Sequence, residues 1–513
     1  MSVNLTRRLT IGAFGALVVA PLFALRLHEA EPGLLYPDGY QYLLMAKGIA
    51  AHGRPLLTLG SDGDTLLPSA DAAAKPLYPA IVALFHAFGL TWVVAARIVT
   101  GLAAACTVVL SGLLARRVTA SWLAAAVAAI ACVASRELSF WSGFAGPDAL
   151  GQALALGSAL AFLSRRARLG AVLASFAILA RPELAVVALA AAAVGISQRE
   201  LRAATGRAAS TVALSVAAVL AILRPPLVAP SAAVVLLAAV SAALGATAFV
   251  LSTRGRPRLS GSMVTGVFAV IAFTAPLGRG GGGLRHWAQN DWPLVLAGLV
   301  GCALAARTAR FRPALHAIVL VSALLAFVYA LKNPGSDRYL SLLTPLVAVL
   351  ASFAVASRSQ LHHRVVAVGV AVLIAITLIL PRLPLRSSDS FTTVVGQLAA
   401  LDLPALPFVT SAPDAYGVLL PQRSVVVARP GARGLIIADG AARAYSPSLT
   451  LEGQTLATLD PGAGFVRPDG TVDRQPVRIV LGTITGTPVS ARRFRERASG
   501  DRVDTRRTSA SRG

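Results

Sequence analysis

Long apolar segments separated by short polar ones recur along the first three quarters of this chain. They are about 17 to 25 residues long, enough for a helix to cross a bilayer. Backbone polar groups inside lipid must be satisfied within the segment, so these segments are predicted to be helices. We place them near 9–26, 92–114, 120–138, 147–163, 168–180, 183–196, 208–223, 231–251, 262–277, 293–306, 314–331, 338–356 and 365–381. The pattern predicts an α-helical polytopic membrane protein with about 13 spans.

Arginine-rich segments alternate with these spans. If the N-terminus with Arg7 and Arg8 is cytoplasmic, every second loop is basic, as the positive-inside rule expects. These loops carry Arg116 and Arg117, Arg165 with Arg166 and Arg168, Arg199 with Arg202 and Arg207, Arg254 with Arg256 and Arg258, Arg307 with Arg310 and Arg312, and Arg358 with Arg364. The pattern predicts a multi-pass protein of the cell membrane. Because the number of spans is odd, the C-terminal region is predicted to be extracytoplasmic.

Acidic residues and lysines show the opposite distribution. Before residue 381, every acidic residue except Glu200 is predicted on the outer side or at an outer span end, and so are Lys47, Lys75 and Lys332. Acidic residues contribute little to topology, so topology alone does not explain this distribution. Either the outer loops are simply longer and more polar, or the outer face of the membrane carries a functional surface.

The first outer segment, about 27–91, is much longer than the other membrane loops. Two apolar stretches within it, 40–49 and 77–88, are too short to span and are predicted to be helices lying along the membrane interface. A loop this long in a compact protein is usually functional.

The chain changes character after about residue 382. Short β-type runs at 407–411, 424–428, 434–439 and 477–486 are separated by turn residues. We therefore predict a membrane domain over 1–381, including the long loop, and a small extracytoplasmic α/β domain over 382–490. The Arg-rich tail, 491–513, has almost no core-forming residues and is predicted to be disordered.

Composition agrees with a membrane protein. The chain is 56% hydrophobic and 14% charged, whereas soluble proteins carry roughly 25% charged residues. A net charge of +24 would indicate nucleic-acid binding in a soluble protein. Here the arginine positions follow topology, so membrane lipids and not nucleic acid are the predicted contacts. Cys106, Cys132 and Cys302 lie far apart in apolar runs and show no metal-binding or disulfide spacing.

Two aspartates at predicted outer helix starts are candidates for chemistry. Asp38 follows the first span, and Tyr42 lies four residues later on the same helix face. A partly desolvated carboxylate at the membrane edge can act as a general base, while aspartate is also a favoured helix cap. Asp148, in a Pro-Asp helix start, has the same two interpretations.

Cations are predicted on the same side of the membrane. Lys75 precedes Pro76 and Tyr78 and could bind a phosphate as a point charge or extend towards the headgroups. The Arg181-Pro182-Glu183 turn could cap a helix and form an ion pair, or be functional because charges near lipid are costly. Further outer cations and aromatics are Arg285, His286, Arg338 and Tyr339. Together these groups suit a lipid-linked phosphate and a sugar hydroxyl.

In these features the sequence resembles the GT-C glycosyltransferases that use polyprenyl-phosphate-linked sugars. Relatives include the protein O-mannosyltransferases and the bacterial transferase that adds aminoarabinose to lipid A. The resemblance covers about 5–381 and the placement of an outer α/β domain behind it. The matching features are Asp38 with Tyr42, the run Lys75-Pro76-Leu77-Tyr78-Pro79, Pro147-Asp148, the run from Leu179 to Glu183, and Arg338-Tyr339 followed by Pro345.

The resemblance implies specific roles. Asp38 would be the base or orienting carboxylate, with Asp148 in the same cavity, and Lys75, Arg338 and Tyr339 would hold the donor phosphate. Tyr42, Tyr78, Arg181, Glu183, Arg285 and His286 would line the substrate cavity. The donor would be a polyprenyl-phosphate-linked sugar, a hexose or a pentose, and the acceptor hydroxyl would belong to a lipid, glycan or protein. Ala74 stands where the lipid A enzyme has a glutamate, so a divalent metal ion is left open.

Two other functions fit parts of the pattern. A membrane transporter would usually show internal repeats and polar groups near mid-span, whereas here the ionisable groups cluster at outer span ends. A non-catalytic scaffold of envelope assembly that binds polyprenyl lipid would share nearly every feature of the transferase. Only dependence on Asp38 separates the scaffold from the enzyme.

Overall fold

The computed structural model describes part of the chain: residues 38–53, 55, 57–59, 65–67, 75–142, 144–181, 184, 290–308, 311, 314, 315, 318, 321, 341, 343–356, 361–379, 390–420, 422–439, 449–462, 465, 466 and 472–486. The predicted spans near 9–26, 208–223, 231–251 and 262–277 lie outside these residues, as does nearly all of 183–196 and most of 314–331. The same holds for the tail and for candidate residues Glu183, Arg285, His286, Arg338 and Tyr339.

The helices of the described residues are, in chain order, α1 (Asp38–His52), α2 (Leu77–Ala87), α3 (Trp92–Thr119), α4 (Trp122–Ala134), α5 (Arg136–Ser142), α6 (Pro147–Leu163), α7 (Ala167–Ala180), α8 (Trp292–Arg307), α9 (Thr344–Ala356), α10 (Leu361–Ile379), α11 (Ser390–Ala399) and α12 (Pro413–Leu419). The strands are β1 (Leu57–Leu59), β2 (Thr65–Leu67), β3 (Phe408–Thr410), β4 (Val425–Val427), β5 (Arg433–Ala438), β6 (Leu449–Leu459), β7 (Phe465–Val466), β8 (Val472–Asp473) and β9 (Val477–Gly486).

The chain forms two compact units. One comprises Met1–Pro32 with Ser69–Leu385 and contains α2 to α10, and we call it the helical unit. The other comprises Gly33–Pro68 with Arg386–Gly513 and contains α1, α11, α12 and all the described strands, and we call it the sheet unit.

Helices of the helical unit coincide with predicted apolar segments. α6 has the predicted bounds. α7 begins one residue earlier than predicted, and α8 is one residue longer than predicted at each end. Among the described helices, α3 alone is long and apolar enough to cross a bilayer unbroken, judged by length and composition. The pair α4 and α5 also passes when taken together, with a 64° bend between the two. The total of about 13 spans stays a prediction.

Caps and a tight turn define the connections around α3 and α4. Thr91 caps α3 and Ser121 caps α4, each accepting a hydrogen bond from the backbone N–H three residues on. Between α3 and α4, Ala120 takes a left-handed conformation with φ of 58° and its N–H bonds the Arg116 carbonyl, which turns the chain back. At this end, Arg117 Nε donates to the Leu163 carbonyl at 2.8 Å, so the last turns of α3 and α6 are tied together.

Small residues let the helices of this unit approach closely, as is usual where helices associate in lipid. α9 packs against α3, α4, α8 and α10, and most of its side chains are buried. A Cβ on Gly301 of α8 would overlap the Leu350 carbonyl of α9, and one on Gly298 would lie 2.6 Å from Val347 Cγ1. The α8–α9 contact therefore depends on two glycines one turn apart.

Exposed large apolar side chains are concentrated on the helical unit. Those of the described residues are Leu84, Phe88, Val94, Leu102, Val109, Leu123, Leu169, Val172, Phe176, Trp292, Leu296, Leu299, Val368 and Val372, while the sheet unit exposes Leu406 and Leu456. Large exposed apolar surfaces mark membrane or protein contacts. Their distribution is what helices facing lipid require.

The sheet unit contains a five-stranded mixed sheet with the strand order β4-β3-β5-β9-β6. β3 is parallel to β4 and β5, and β9 is antiparallel to β5 and β6. Val409, Ile436, Val480 and Ile484 form a buried cluster across β3, β5 and β9. The predicted β-type runs coincide with β3, β4, β5 and β9, whereas β6, α11 and α12 were not predicted.

Helix α1 belongs to the sheet unit. The sequence predicted an interfacial helix over 40–49 in the long loop, and the structure has a longer helix that packs against α12, more than 360 residues away in the chain. Apolar residues of such a helix can be covered by protein as well as by lipid, and the local pattern does not distinguish the two. The domain boundaries at 381 and 382 stay predictions.

Replacing Gly301 by alanine should destabilise the helical unit. The added methyl group has to displace the α9 backbone, and such overpacking typically costs about 1–3 kcal/mol. Gly369→Ala on α10 is the matched control because an added Cβ there meets nothing within 4 Å. Thermal unfolding in detergent should show a lower Tm for Gly301→Ala and an unchanged or slightly higher Tm for Gly369→Ala. Equal Tm values for the two variants would contradict the close α8–α9 contact.

Candidate active site

A buried ion pair joins the start of α6 to the end of α7. Asp148 is the second residue of α6, directly after Pro147, and its carboxylate pairs with the Arg181 guanidinium. Arg181 is fully buried and Asp148 is 6% exposed. A carboxylate in the first turn of a helix is also favoured by the helix dipole. Asp148 therefore lies at a helix start and also forms the ion pair of Arg181, a pairing that the sequence did not predict.

The backbone around this pair leaves room for the arginine side chain. Arg181 ends α7 in an extended conformation, with its N–H on the Ala177 carbonyl at 2.8 Å. A Cβ on Gly151, one turn after Asp148, would lie 3.3 Å from Arg181 Cγ. On the next residue, Gln152 Nε2 donates to the Ser341 carbonyl at 3.2 Å. The first two turns of α6 thus contact both the end of α7 and the segment before α9.

A second buried polar group holds the bend between α4 and α5. Ser135 Oγ donates to Asp291 Oδ2, and the Arg136 N–H donates to Asp291 Oδ1 at 2.8 Å. Ser135 Oγ also accepts from the Leu138 N–H at 3.0 Å, which caps α5. Asp291 directly precedes α8. One fully buried carboxylate therefore joins the α4–α5 bend to the start of α8.

Glu137 and Asn290 complete this group. Glu137 accepts from Trp141 Nε1 at 2.8 Å and from the Asn290 side-chain amide, and Arg136 Nη1 donates to the Asn290 carbonyl at 3.3 Å. We call these residues, 135–137 with 290 and 291, the elbow cluster. The sequence placed Glu137 and Asp291 among the outer acids and gave them no role. The Asn-Asp-Trp-Pro start of α8 is a capping signal, but its long-range partners leave no local pattern.

These contacts lie at one end of the helical unit. The elbow cluster joins the end of α4 to the start of α8, the ion pair joins the start of α6 to the end of α7, and Gln152 reaches the segment before α9. The opposite ends of α3 and α6 meet at Arg117 and Leu163. The buried charges are therefore at the end opposite Arg117, and the side of the membrane on which they lie stays a prediction.

Lys75 and Tyr78 lie at the start of α2. Lys75 is 8% exposed and Tyr78 is fully buried. The Tyr78 hydroxyl donates to the Ala96 carbonyl at 3.2 Å and lies 3.1 Å from Thr100 Oγ1, so it anchors α2 to α3. α2 also contacts α6 and α7. A lysine this buried requires an anion or hydrogen-bond acceptors near its ammonium group.

Asp38 and Tyr42 are in the sheet unit. Asp38 is the first residue of α1, and Tyr42, one turn later, is 4% exposed. On the same helix, Lys47 Nζ donates to the Gly417 carbonyl at 3.1 Å, and burial lowers the pKa of this lysine. The helix predicted to place Asp38 and Tyr42 on one face is present, and their chemical roles stay predictions.

The described residues contain no group of three or more His, Cys, Asp or Glu side chains arranged to hold a metal ion. The divalent metal that the sequence left open therefore has no donor set of this size among these residues.

Solved structures share this architecture. The Archaeoglobus fulgidus oligosaccharyltransferase in its apo form matches 81% of this chain at 12% identity and a TM-score of 0.52. The chain has the GT-C fold. It spans 64% of the length of the oligosaccharyltransferase chain, and at this identity the likeness concerns the fold alone.

Two structures of ArnT from Cupriavidus metallidurans also match. The apo state has 16% identity and a TM-score of 0.43 over 93% of this chain and 98% of its own. The form bound to undecaprenyl phosphate has 14% identity and a TM-score of 0.44 over 91% and 97%. Both TM-scores are below 0.5, so neither likeness adds support to the assignment of the fold. No family model and no curated protein matches the sequence.

Breaking the Asp148–Arg181 pair from one side should be strongly destabilising. Asp148→Leu or Arg181→Met leaves a buried charge without its counter-charge, which typically costs about 3–5 kcal/mol. The double variant removes both charges and should lose less than the sum of the single losses. Arg117→Met is the control, because this arginine is exposed. Its replacement should lower the free energy of unfolding by less than about 1 kcal/mol. Additive losses in denaturant unfolding would contradict the pairing.

The elbow cluster should give stability a specific pH dependence. Burial raises the pKa of Asp291 to about 6, more than its hydrogen bonds to Ser135 and Arg136 lower it. The unfolded carboxyl ionises near pH 4, so this group stabilises the fold most when protonated, and that contribution falls as pH rises from about 4 to about 6. The stability of Asp291→Asn should not fall in this way, so the Tm of the variant minus the Tm of wild type should increase as the pH rises through that range. A difference in Tm that is constant with pH would contradict the assignment.

Proposed function

We propose that this chain is an integral membrane glycosyltransferase. It moves a hexose or pentose from a polyprenyl-phosphate donor to an acceptor hydroxyl on the outer face of the membrane. The observation that carries the proposal is the presence of buried charged side chains at one end of the helical unit. Asp148 is paired with Arg181, and Lys75 is buried just before α2, which contacts α6 and α7. Ionisable groups at membrane helix ends are costly and mark functional sites.

The reaction is a single displacement. The acceptor oxygen forms a bond to the anomeric carbon while the bond from that carbon to the donor phosphate oxygen breaks, and the electron pair leaves with the polyprenyl phosphate. Asp38 takes the acceptor's proton as general base. Attack from the face opposite the leaving group inverts the anomeric configuration.

Cations stabilise the charge that builds on the leaving phosphate. Lys75 supplies a compact ammonium, and Arg338 and Tyr339 supply further donors. In a site of low dielectric constant, donors fixed before the reaction act strongly on developing charge. Asp148 contributes by holding the buried Arg181 guanidinium in one orientation, and this pair is proposed to support the wall of the substrate cavity.

The remaining candidates line that cavity. Tyr42, Glu183, Arg285 and His286 are proposed to contact the sugar or the acceptor. Tyr78 is fully buried and its hydroxyl is engaged with Ala96 and Thr100, so its proposed part is to hold α2 against α3 beside the cavity.

The fold supports this proposal at a coarse level. One protein with a similar fold is an oligosaccharyltransferase, and the exposed apolar side chains of the helical unit suit lipid. One fold can host many functions, so the chemistry rests on the residues named above. The proposed location is the cell membrane, with the N-terminus cytoplasmic and the sheet unit extracytoplasmic. The acceptor is a lipid, glycan or protein.

Mass spectrometry of cellular glycans and lipids tests the proposal. Cells lacking the protein would be compared with cells expressing wild type, Asp38→Asn or Lys75→Met at matched levels. One sugar modification should disappear in the deletion and return with wild type only. Removing a general base typically costs about 10²–10⁴-fold in rate, and removing a donor to the developing charge about 10²–10³-fold.

Asp402→Asn is the matched control for Asp38→Asn, because it makes the same chemical change at an exposed position of the sheet unit. It should restore the modification fully. Full restoration by Asp38→Asn would remove the catalytic base from the proposal and favour a lipid-binding scaffold. A deletion that changes transport of the lipid-linked sugar and leaves its transfer intact would favour a transporter.

A further inference from the structure

Helix α1, which begins at Asp38, is held by two hydrogen bonds to the short helix α12. Gln41 Nε2 donates to Asp414 Oδ2 at 2.9 Å, and Lys47 Nζ donates to the Gly417 carbonyl at 3.1 Å. Gln41 is one helical turn from Asp38, and Lys47 is about 9 Å further along the axis than Gln41. Hydrogen bonds at two points along α1 restrict both its rotation about the helix axis and its translation along that axis.

An aromatic contact adds a third restraint. The Tyr40 ring packs edge-on against Phe391 of α11 at 5.6 Å between centroids, and Phe391 packs in the same way against Tyr416 of α12 at 5.4 Å. Tyr40, Phe391 and Tyr416 are each 1% exposed or less. Such edge-on pairs prefer a defined geometry, so the first turn of α1 is packed in a specific orientation.

Helix α12 is itself fixed to the central strands. It follows β3 directly, and Thr410 Oγ1 at the end of β3 accepts from the Ala412 N–H at 3.0 Å. The Tyr416 hydroxyl donates at 2.7 Å to Asp439, which follows β5 and is fully buried. A continuous set of buried contacts therefore runs from β3 and β5 through α12 to the first turn of α1.

We propose that α12 is the element that positions Asp38, with Asp414 as the principal positioning residue. This inference rests on the proposed function, in which Asp38 is the base. A general base has to lie within hydrogen-bonding reach of the proton that it removes, and a misplacement of about 1 Å can cost about 100-fold in rate. The sheet unit then serves the reaction by fixing the helix that carries the base.

Four substitutions separate positioning from general stability. Asp414→Ala removes the acceptor of the Gln41 bond, and Gln41→Met removes its donor. Asp414→Asn keeps an oxygen that can accept from Gln41 and is the conservative rescue. Gln397→Met is the matched control, because Gln397 of α11 forms a reciprocal pair with the Asp460 backbone, 2.8 and 3.0 Å, in the same unit.

The experiment uses the full-length protein and two readouts. Hydrogen exchange with mass spectrometry reports the protection of α1 amides in purified protein. Transfer is measured as the cellular amount of the sugar modification that disappears when the protein is deleted. Asp414→Ala and Gln41→Met should raise exchange over 39–48 about tenfold or more and lower the modification about tenfold or more. Asp414→Asn should restore most of both, and Gln397→Met should match wild type in both.

Distinct outcomes would overturn the inference. Unchanged α1 exchange in Asp414→Ala and Gln41→Met would show that the bond does not hold the helix. Raised exchange with an unchanged amount of modification would show that the hold does not matter for transfer. An Asp414→Asn variant as impaired as Asp414→Ala would exclude the hydrogen bond as the cause.

The Asp38→Asn variant, measured alongside, separates a failure of the proposed function from a failure of the positioning inference. Full modification in Asp38→Asn overturns the proposed function, and the positioning inference with it. Loss of modification in Asp38→Asn, together with normal modification in Asp414→Ala and Gln41→Met, overturns the positioning inference alone.

Discussion

A buried charge needs a counter-charge, and the Asp148–Arg181 pair is where the helical unit meets this requirement most directly. Desolvating either group alone would cost several kcal/mol, on the order of the whole stability of a domain. The pair is accommodated because Gly151 has no side chain to obstruct Arg181 and because α7 ends where the guanidinium can turn towards α6. The ends of α6 and α7 are therefore fixed by electrostatics as well as by packing.

In the elbow cluster, buried backbone N–H groups likewise have polar partners. A helix that breaks within apolar surroundings exposes N–H groups that lipid cannot satisfy. At the α4–α5 bend, Asp291 accepts from the Arg136 N–H and Ser135 accepts from the Leu138 N–H. The 64° bend is thus compatible with a membrane protein because side chains replace the helical hydrogen bonds that it removes.

Much of the architecture follows from local signals. Pro147 and Asp148 mark the start of α6, the alternating apolar run from Val477 marks β9, and both elements lie where predicted. The pairing of Arg181 with Asp148, the contacts of Asp291 and the place of α1 depend on residues far apart in the chain, for which one sequence has no local pattern. β6 was missed because Glu452, Gly453 and Gln454 interrupt its apolar residues, and such polar residues suit an edge strand.

The sheet unit combines α1, from near the start of the chain, with elements from its last quarter. The residues named above that hold α1 all lie in that last quarter. Gln41 and Asp414 are 373 residues apart. During synthesis, α1 therefore waits for its binding site until the C-terminal strands have emerged, and pairings of such long sequence separation form slowly. In the meantime, the part of this unit available to α1 is the neighbouring strand β1. Assembly of the sheet unit would thus include capture of an early segment by a late one, so that a chain truncated before α12 would also lack the contacts that hold α1.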